Sequence, residues 1–429
     1  MPNPNNAFAY PSDSELGYGW PDTGKKATAD SLEIHFNIAS QAGKEVRKAE
    51  IDRVTFELVR KFQSWRPTED SRGIADLGYD RWFDAAFNRA VAELNYKAGV
   101  GYCCLKYLGS TIGSVLAWDG FTASPTRVRL VRDVVKLRID ALLRGELIAD
   151  DIHTFVKDEP HKLAKISDGR LRLISGVSMV DGIVDKMLFG GLFDAALLAM
   201  GKTPVLMGWS PIMGHGSKML LNQFPDGVVS VDKSAWDWTV PGWLVDVWKG
   251  FVLEMHHGYP DWFLALIELR FRLLFEEAVF RVGDDRRKQE VKGIMKSGCF
   301  LTYLLNSIGQ IALHYVVCGE MGLDPETCMP YACGDDTIQN ACFDLNAYAE
   351  LVRILGFKPK IQPVARHIEF IGFLIDSEKV VPAYWRKHLF MLKYVDEAHA
   401  SETLDAYQLL YRDEPGMLYV VQAELRRRD

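Results

Sequence analysis

The ten residues from Pro330 to Gln339, PYACGDDTIQ, constrain this chain more than any other stretch. Adjacent carboxylates, Asp335 and Asp336, follow Gly334 and stand between two apolar-leaning runs, Met329–Cys333 and Thr337–Ile338. Such a pattern folds as strand, tight turn, strand with the acids at the tip, where glycine takes the backbone angles the turn needs. Neighbouring side chains on a strand point to opposite faces. One acid can therefore face a site while the other looks away or sits beside it. Two carboxylates placed together repel, and their hard oxygens suit Mg2+. An isolated Asp-Asp hairpin is most often a solvated turn, so its meaning depends on what lies upstream.

The chain has 429 residues, enough to bury a large core in one to three domains. Its hydrophobic content of 48% and charged content of 25% are those of an ordinary soluble globular protein. The cysteines (Cys103, Cys104, Cys299, Cys318, Cys328, Cys333, Cys342) show no CxxC pair and no even framework. They fit a reducing compartment, with thiols mostly buried. Residues 1–30 are polar and rich in Pro, Gly, Asn and Asp, and read as an N-terminal arm without the apolar core of a signal peptide. The charge-free stretch Ser297–Gly319 is long enough to span a membrane, but Asn306, Ser307, Gln310 and His314 would be costly in lipid. A buried helix is expected there and no transmembrane segment, leaving membrane association to partners. The net charge of −7 argues against nucleic-acid binding by bulk charge while allowing a local basic channel.

Residues 31–200 read mainly helical, with apolar residues at helical spacing in Lys44–Ser64, Tyr79–Asn95 and Ser124–Arg144. The middle changes character. Gly227–Val231 reads as a strand, Val240–His256 and Phe300–Cys318 as helices, and the acidic hairpin follows. After it come a helix at Leu345–Leu355 and strand-like runs at Lys360–Pro363 and Glu369–Ile375. That order predicts an antiparallel sheet with helices on one face, an α+β layer. From Val380 to Asp429 the tail reads helical.

Three further segments carry chemistry. Asp232-Lys-Ser-Ala-Trp-Asp237 follows the Gly227–Val231 strand. A carboxylate at a strand end makes a natural metal ligand, and Asp232 with Asp335 on neighbouring strands could hold two Mg2+ about 3.5–4 Å apart for phosphoryl transfer. Standing alone, Asp232 would more often be a turn or helix-cap residue. In Ser297-Gly298-x3-Thr302-x3-Asn306, the last two residues share one helix face. An Asn306 amide aimed at Asp237 could bind a ribose hydroxyl with both donor and acceptor capacity. In the run Phe155–Ser175, FVKDEPHKLAKISDGRLRLIS, Arg170, Arg172 and Ile174 alternate with Leu171 and Leu173, giving a strand with one cationic face. Such cations suit triphosphate oxygens.

These segments in this order resemble viral RNA-dependent RNA polymerases. Asp232-x4-Asp237 resembles motif A, Ser297 to Asn306 motif B, Gly334-Asp335-Asp336 motif C, and Phe155–Ile174 motif F. VKDEPHKLAKISDGRLRLIS, Trp236-Asp237-Trp238 and VDGIVDKMLFGGLF are most similar to sobemovirus and polerovirus (solemovirus-like) replicases, and the match covers roughly Lys97–Asp376. The resemblance implies a right-hand polymerase fold, α+β, with fingers over 31–226, a palm over 227–376 and a small helical thumb over 377–429. It implies RNA synthesis from ribonucleoside triphosphates in cytoplasmic replication complexes of the host, with RNA template, nascent RNA and a protein primer as candidate partners. Asp232 and Asp335 would bind Mg2+, with Mn2+ as a substitute, supported by Asp336. Asp237 and Asn306, helped by Ser297 and Thr302, would check the 2′-hydroxyl. Arg172, with Lys157, Lys165 and Arg170, would hold the triphosphate. Lys360 or Lys358 lies where motif D offers a general acid, Glu369–Ile375 resembles motif E, and Lys97–Gly113 resembles the template-path motif G, although Gly101 stands where its proline is familiar.

A reverse transcriptase would share the metal acids but not the Asp237–Asn306 pair, and would carry an aromatic where Cys333 stands. A nucleotide cyclase would have no use for the basic run. An accessory RNA-binding protein with an inactive polymerase fold would be expected to have lost Asp232, Asp335 or Asp336.

Overall fold

The computed structural model describes residues 8–41, 43–213, 215–224, 228–340, 343–362 and 367–428. Gly227, Cys342 and Pro363, which entered the expectations above, lie outside the described residues. The fold is mixed α+β, with helices around several small sheets.

The expected antiparallel sheet is present. Its strands run in the order Pro359–Gln362, Val229–Lys233, Asp336–Gln339, Tyr331–Cys333. Register is set by Lys360 opposite Asp232, Ser230 opposite Ile338 and Cys333 opposite Asp336. The helices Thr302–Met321 and Leu345–Ile354 pack against this sheet. The first carries no formal charge before Glu320 and is apolar nearly all round, the mark of a helix buried on every side. Leu304, Leu305, Ile308 and Ile311 have no exposed surface. Gly309 lets it pass under two indoles, since a methyl there would meet the rings of Trp236 and Trp248 at 3.0 Å.

A second four-stranded sheet runs Leu173–Gly176, Ile152–Val156, Val279–Val282, Asp285–Lys288. Its buried face contributes Ile152, Val156 and Phe280 to a core shared with Leu32 and Phe36 of the helix Lys25–Ala39. The expected alternation holds, with Leu171 and Leu173 buried and Arg170 and Arg172 exposed, but the ladder begins only at Leu173. The hairpin Val279–Lys288 has a polar return strand, DRRK, which hides it from a hydrophobic-pattern reading.

Three elements differ from expectation. Glu369–Ile375 is a hairpin, Ile368–Phe370 and Phe373–Ile375, because Ile371 and Gly372 take positive φ (43° and 79°) and turn the chain. The tail is not helical from its start: Val380–Pro382 adds a third strand, its valines suited to a sheet and its proline tolerated at an edge. Helices follow at Trp385–Tyr394, Glu397–Leu410 and Pro415–Arg428. Within the described residues, from Phe8 onward, the N-terminal arm packs onto the fold. Leu16 and Tyr18 are buried against Leu389, Phe390, Met417 and Val421, and Lys393 donates to Asp13 at 2.9 Å. Tyr18–Gly19 also pairs with His161–Lys162, so this segment joins the basic run to the C-terminal helices.

Among the cysteines, Cys299 and Cys318 are buried, Cys103 and Cys333 half-buried, Cys104 exposed, and Cys328 is disulfide-bonded, which the sequence reading did not anticipate. No helix among the described residues is long and apolar enough to cross a membrane.

Candidate active site

Asp335 occupies the hairpin turn after Gly334 (φ 65°), and Asp336 opens the returning strand. Asp232 lies inside the neighbouring strand rather than at its end. Asp335 meets solvent, yet the protein mass around it raises its carboxyl, with Asp232 adding to the rise. Burial, followed by the charges of Asp335 and Asp232, lifts Asp336 to about 6. Three acids thus share one space, and the charge of Asp232 adds to the rise of both hairpin carboxyls. Beneath them lies a residue the sequence reading passed over. Lys233 is buried, donates to Thr337 Oγ1 at 3.0 Å and feels all three carboxylates, while burial pulls its ammonium down to about 7.

Ala235 in the left-handed conformation (φ 54°) ends the strand's run and starts the short helix Trp236–Thr239. This brings Asp237 to Asn306, whose Nδ2 donates to Asp237 Oδ1 at 3.2 Å. Burial drives Asp237 up to about 7, with Asp335 contributing and the Asn306 bond opposing. The Asn306 carbonyl oxygen is already taken by the Trp236 indole N–H at 2.9 Å. The amide therefore offers a donor to a ligand, rather than the balanced donor and acceptor expected from sequence.

Ser297 and Thr302 are not brought to this pair. Ser297 Oγ accepts from the Ser175 N–H at 3.0 Å, and the Gly298 N–H donates to the Ser175 carbonyl at 3.1 Å. The Thr302 hydroxyl turns to the carbonyls of Lys296 (2.7 Å) and Cys299 (2.9 Å). Ser297 and Gly298 thus dock the loop before the helix onto the strand that closes the basic run, while Thr302 ties that loop to the start of the helix. The same helix supports the acidic turn, because the Gly334 N–H donates to Ser307 Oγ at 2.9 Å and the Tyr303 hydroxyl reaches Cys333 Sγ at 3.1 Å. Hydroxyls at one and three residues from a candidate Asn, Ser307 and Tyr303, were the available signal, and they read as helix polarity.

The cations divide. Lys360 Nζ stands 3.4 Å from Asp232 Oδ2, whereas Lys358 meets the opposite turn through its backbone carbonyl and the Ser234 N–H. Arg172 is close enough to lower the carboxyls of Asp335 and Asp237. Burial, then Arg172 and Lys360, depress Lys165, so these three form one electropositive group beside the acids. Arg170 is held by Asp168 at 2.8 Å. Glu159, unnoticed in the sequence, binds Arg172 (2.5 Å), Lys387 (3.0 Å) and Lys157 (3.3 Å). Burial works to raise its carboxyl, and the three cations outweigh that and keep it low.

Among the described residues no three ligating side chains are gathered closely enough to cage an ion as they stand. The donor set nevertheless suits a hard divalent cation: carboxylates only, crowded, with burial and neighbouring negative charge raising Asp335 and Asp336.

A profile described as viral RNA-dependent RNA polymerase matches residues 146–377, more than half of the chain, and spans every acid and cation above except Lys387. The chain belongs to that family. It is 28% identical over 318 residues to the replicase polyprotein P2AB of Southern cowpea mosaic virus, covering 70% of this chain and 32% of that one. It is 25% identical over 407 residues to protein P2-P3 of Poinsettia latent virus (88% and 35%). Against protein P1-P2 of Potato leafroll virus the identity is 25% over 431 residues (92% and 38%). The chain spans about a third of the length of these curated relatives. They are the sobemovirus and polerovirus type of replicase that the motifs suggested.

Proposed function

We propose that this chain is the RNA-synthesising part of a positive-strand virus replicase, adding ribonucleoside triphosphates to an RNA 3′ end as a template directs, in replication complexes of the host cytoplasm. The observation that carries it is the Asn306–Asp237 hydrogen bond beside three crowded carboxylates on an antiparallel sheet. In the right-hand arrangement, this sheet is the palm. The basic run belongs to the fingers, and the C-terminal helices form the thumb.

Asp232 and Asp335 would hold Mg2+ or Mn2+, with Asp336 in support. Bound there, such ions would supply positive charge to the reacting phosphoryl oxygens. Arg172 and Lys165 receive the triphosphate, and Arg172 must exchange Glu159 for phosphate oxygens. Lys360, at the strand position facing Asp232, is placed to give a proton to the departing pyrophosphate. Asp237 accepts from a 2′-hydroxyl while Asn306 donates to it, which disfavours deoxynucleotides and with them the reverse-transcriptase reading.

The test is extension of an RNA template with the four ribonucleoside triphosphates and Mg2+ or Mn2+. Synthesis by the wild type and none by Asp335→Ala is expected. RNA binding without synthesis by the wild type would instead favour an inactive accessory protein. Equal use of deoxynucleotides would remove the role given to Asp237 and Asn306.

A further inference from the structure

We infer that Trp236 is a positioning residue for ribose recognition, its indole N–H fixing the Asn306 amide so that nitrogen rather than oxygen faces Asp237. This rests on the polymerase reading above and deepens it.

A primary amide is nearly symmetric in shape, so packing alone does not decide which end points where; its hydrogen-bond partners do. Asn306 is buried (4% exposed), and its two ends are addressed by adjacent residues. Trp236 Nε1 donates to Oδ1 at 2.9 Å, and Nδ2 donates to Asp237 Oδ1 at 3.2 Å. A flipped amide would set oxygen against carboxylate and N–H against N–H, losing both bonds. In the observed orientation one amide N–H remains for a ligand. A sugar substituent fitting this pair must accept from Asn306 and donate to Asp237, which a hydroxyl does and a hydrogen cannot.

The indole is itself held. It stacks on Phe357 (centroids 4.9 Å apart, planes 15°) and lies over Gly309, where any side chain would displace it. The left-handed Ala235 lets consecutive residues reach Asn306 from two sides. Trp236 as mere core filling would need the stack but not the donor.

Trp236→Phe keeps an aromatic ring and deletes the N–H. The measurement is kcat/KM for single additions of CTP and dCTP by wild type, Trp236→Phe, Asn306→Ala and Asn306→Asp, with thermal midpoints alongside. Selectivity for CTP is expected to fall about tenfold in Trp236→Phe, the loss falling on CTP more than on dCTP. Asn306→Asp, which keeps an acceptor for the indole and, assayed at a pH high enough to ionise it together with Asp237, has no donor for the sugar, should lose selectivity as well. A merely structural role would lower both rates alike, and an unchanged ratio in folded Trp236→Phe overturns the inference. If Asn306→Asp retains full ribose preference, the amide donor does not read the sugar and the inference falls, whether or not Trp236→Phe folds. Failure of the wild type to extend RNA would instead remove the polymerase reading. Loss of preference in Asn306→Ala but not in Trp236→Phe would remove this inference alone.

Discussion

Lys360 and Asp232 face each other across two antiparallel strands, with the ammonium 3.4 Å from the carboxylate. Lys358, two residues earlier, engages the site only through its backbone. Replacing Lys360 by Met is expected to slow the chemical step by about 10²-fold, the usual scale of general-acid catalysis. Lys358→Met should leave it nearly unchanged. Rapid-quench measurement of one nucleotide addition separates them, and equal effects would return the assignment to ambiguity.

Arg172 touches the electrostatics of both Asp335 and Asp237, while Arg170 is spent on Asp168. Arg172→Ala should therefore raise KM for nucleotides by about tenfold or more, the worth of a charge-assisted hydrogen bond. Arg170→Ala should do much less. Steady-state titration of one nucleotide checks the contrast, and a reversed order would move the triphosphate elsewhere.

A methyl group on Gly298 would stand 2.8 Å from the Ser175 carbonyl oxygen and 3.0 Å from the Gly176 Cα. Both are backbone and cannot swing aside. Gly298→Ala is expected to lift the loop from its strand, costing about 1–3 kcal/mol of stability and a larger share of activity. Calorimetry and extension assays on the same preparation test this; a wild-type melting curve with wild-type activity would refute the close docking.

Burial holds His256, His314 and His388 each at about 4. Their neutral rings bond the Val252 carbonyl, the Tyr348 hydroxyl and the Tyr411 hydroxyl. Because they titrate lower when folded, their contribution to stability is complete above about pH 6.5 and is lost as pH falls toward 4. Each should add a slope approaching about 1.4 kcal/mol per pH unit within that window. Urea midpoints at pH 7 and 5 should differ accordingly, and a folded His388→Gln should show a shallower fall.

Arg270 and Asp185 are each 1% exposed and joined by two hydrogen bonds, at 2.7 and 3.1 Å. The pair ties the helix Met179–Leu198 to the helix Asp261–Phe275. Arg270→Met leaves a buried carboxylate alone and should cost about 3–5 kcal/mol. Asp185→Leu added to it should recover much of that loss, a comparison read directly from chemical denaturation.

How much of this was legible beforehand follows the range of the interactions. The acidic turn, the central strands and the long buried helix rest on local pattern, and GVVSVDK or the charge-free run to Gly319 announce themselves. The Asp237–Asn306 contact could be anticipated only through the motif resemblance, since 69 residues separate its partners. What escaped depends on partners that no local pattern names. Glu159 looks like one acid in a mixed run until Lys387 arrives from the C-terminal helices. Trp236 looks like core, and Lys233 like a surface lysine beside an acid, until the sheet buries it. The docking of the N-terminal arm is hidden in the sequence because its prolines and glycines outnumber the buried apolar residues that anchor it, Leu16 and Tyr18.

One turn of the helix Thr302–Met321 carries three tethers: Tyr303 to Cys333, Asn306 to Asp237 and Ser307 to Gly334. It works as a gauge block. The distance between the group that inspects the incoming sugar and the group that reacts is machined into a single rigid piece, so the two cannot drift independently. A designer wishing to admit altered sugars can exchange the inspecting side chain, but cannot insert or delete a residue between Tyr303 and Ser307 without also putting the acidic turn out of true.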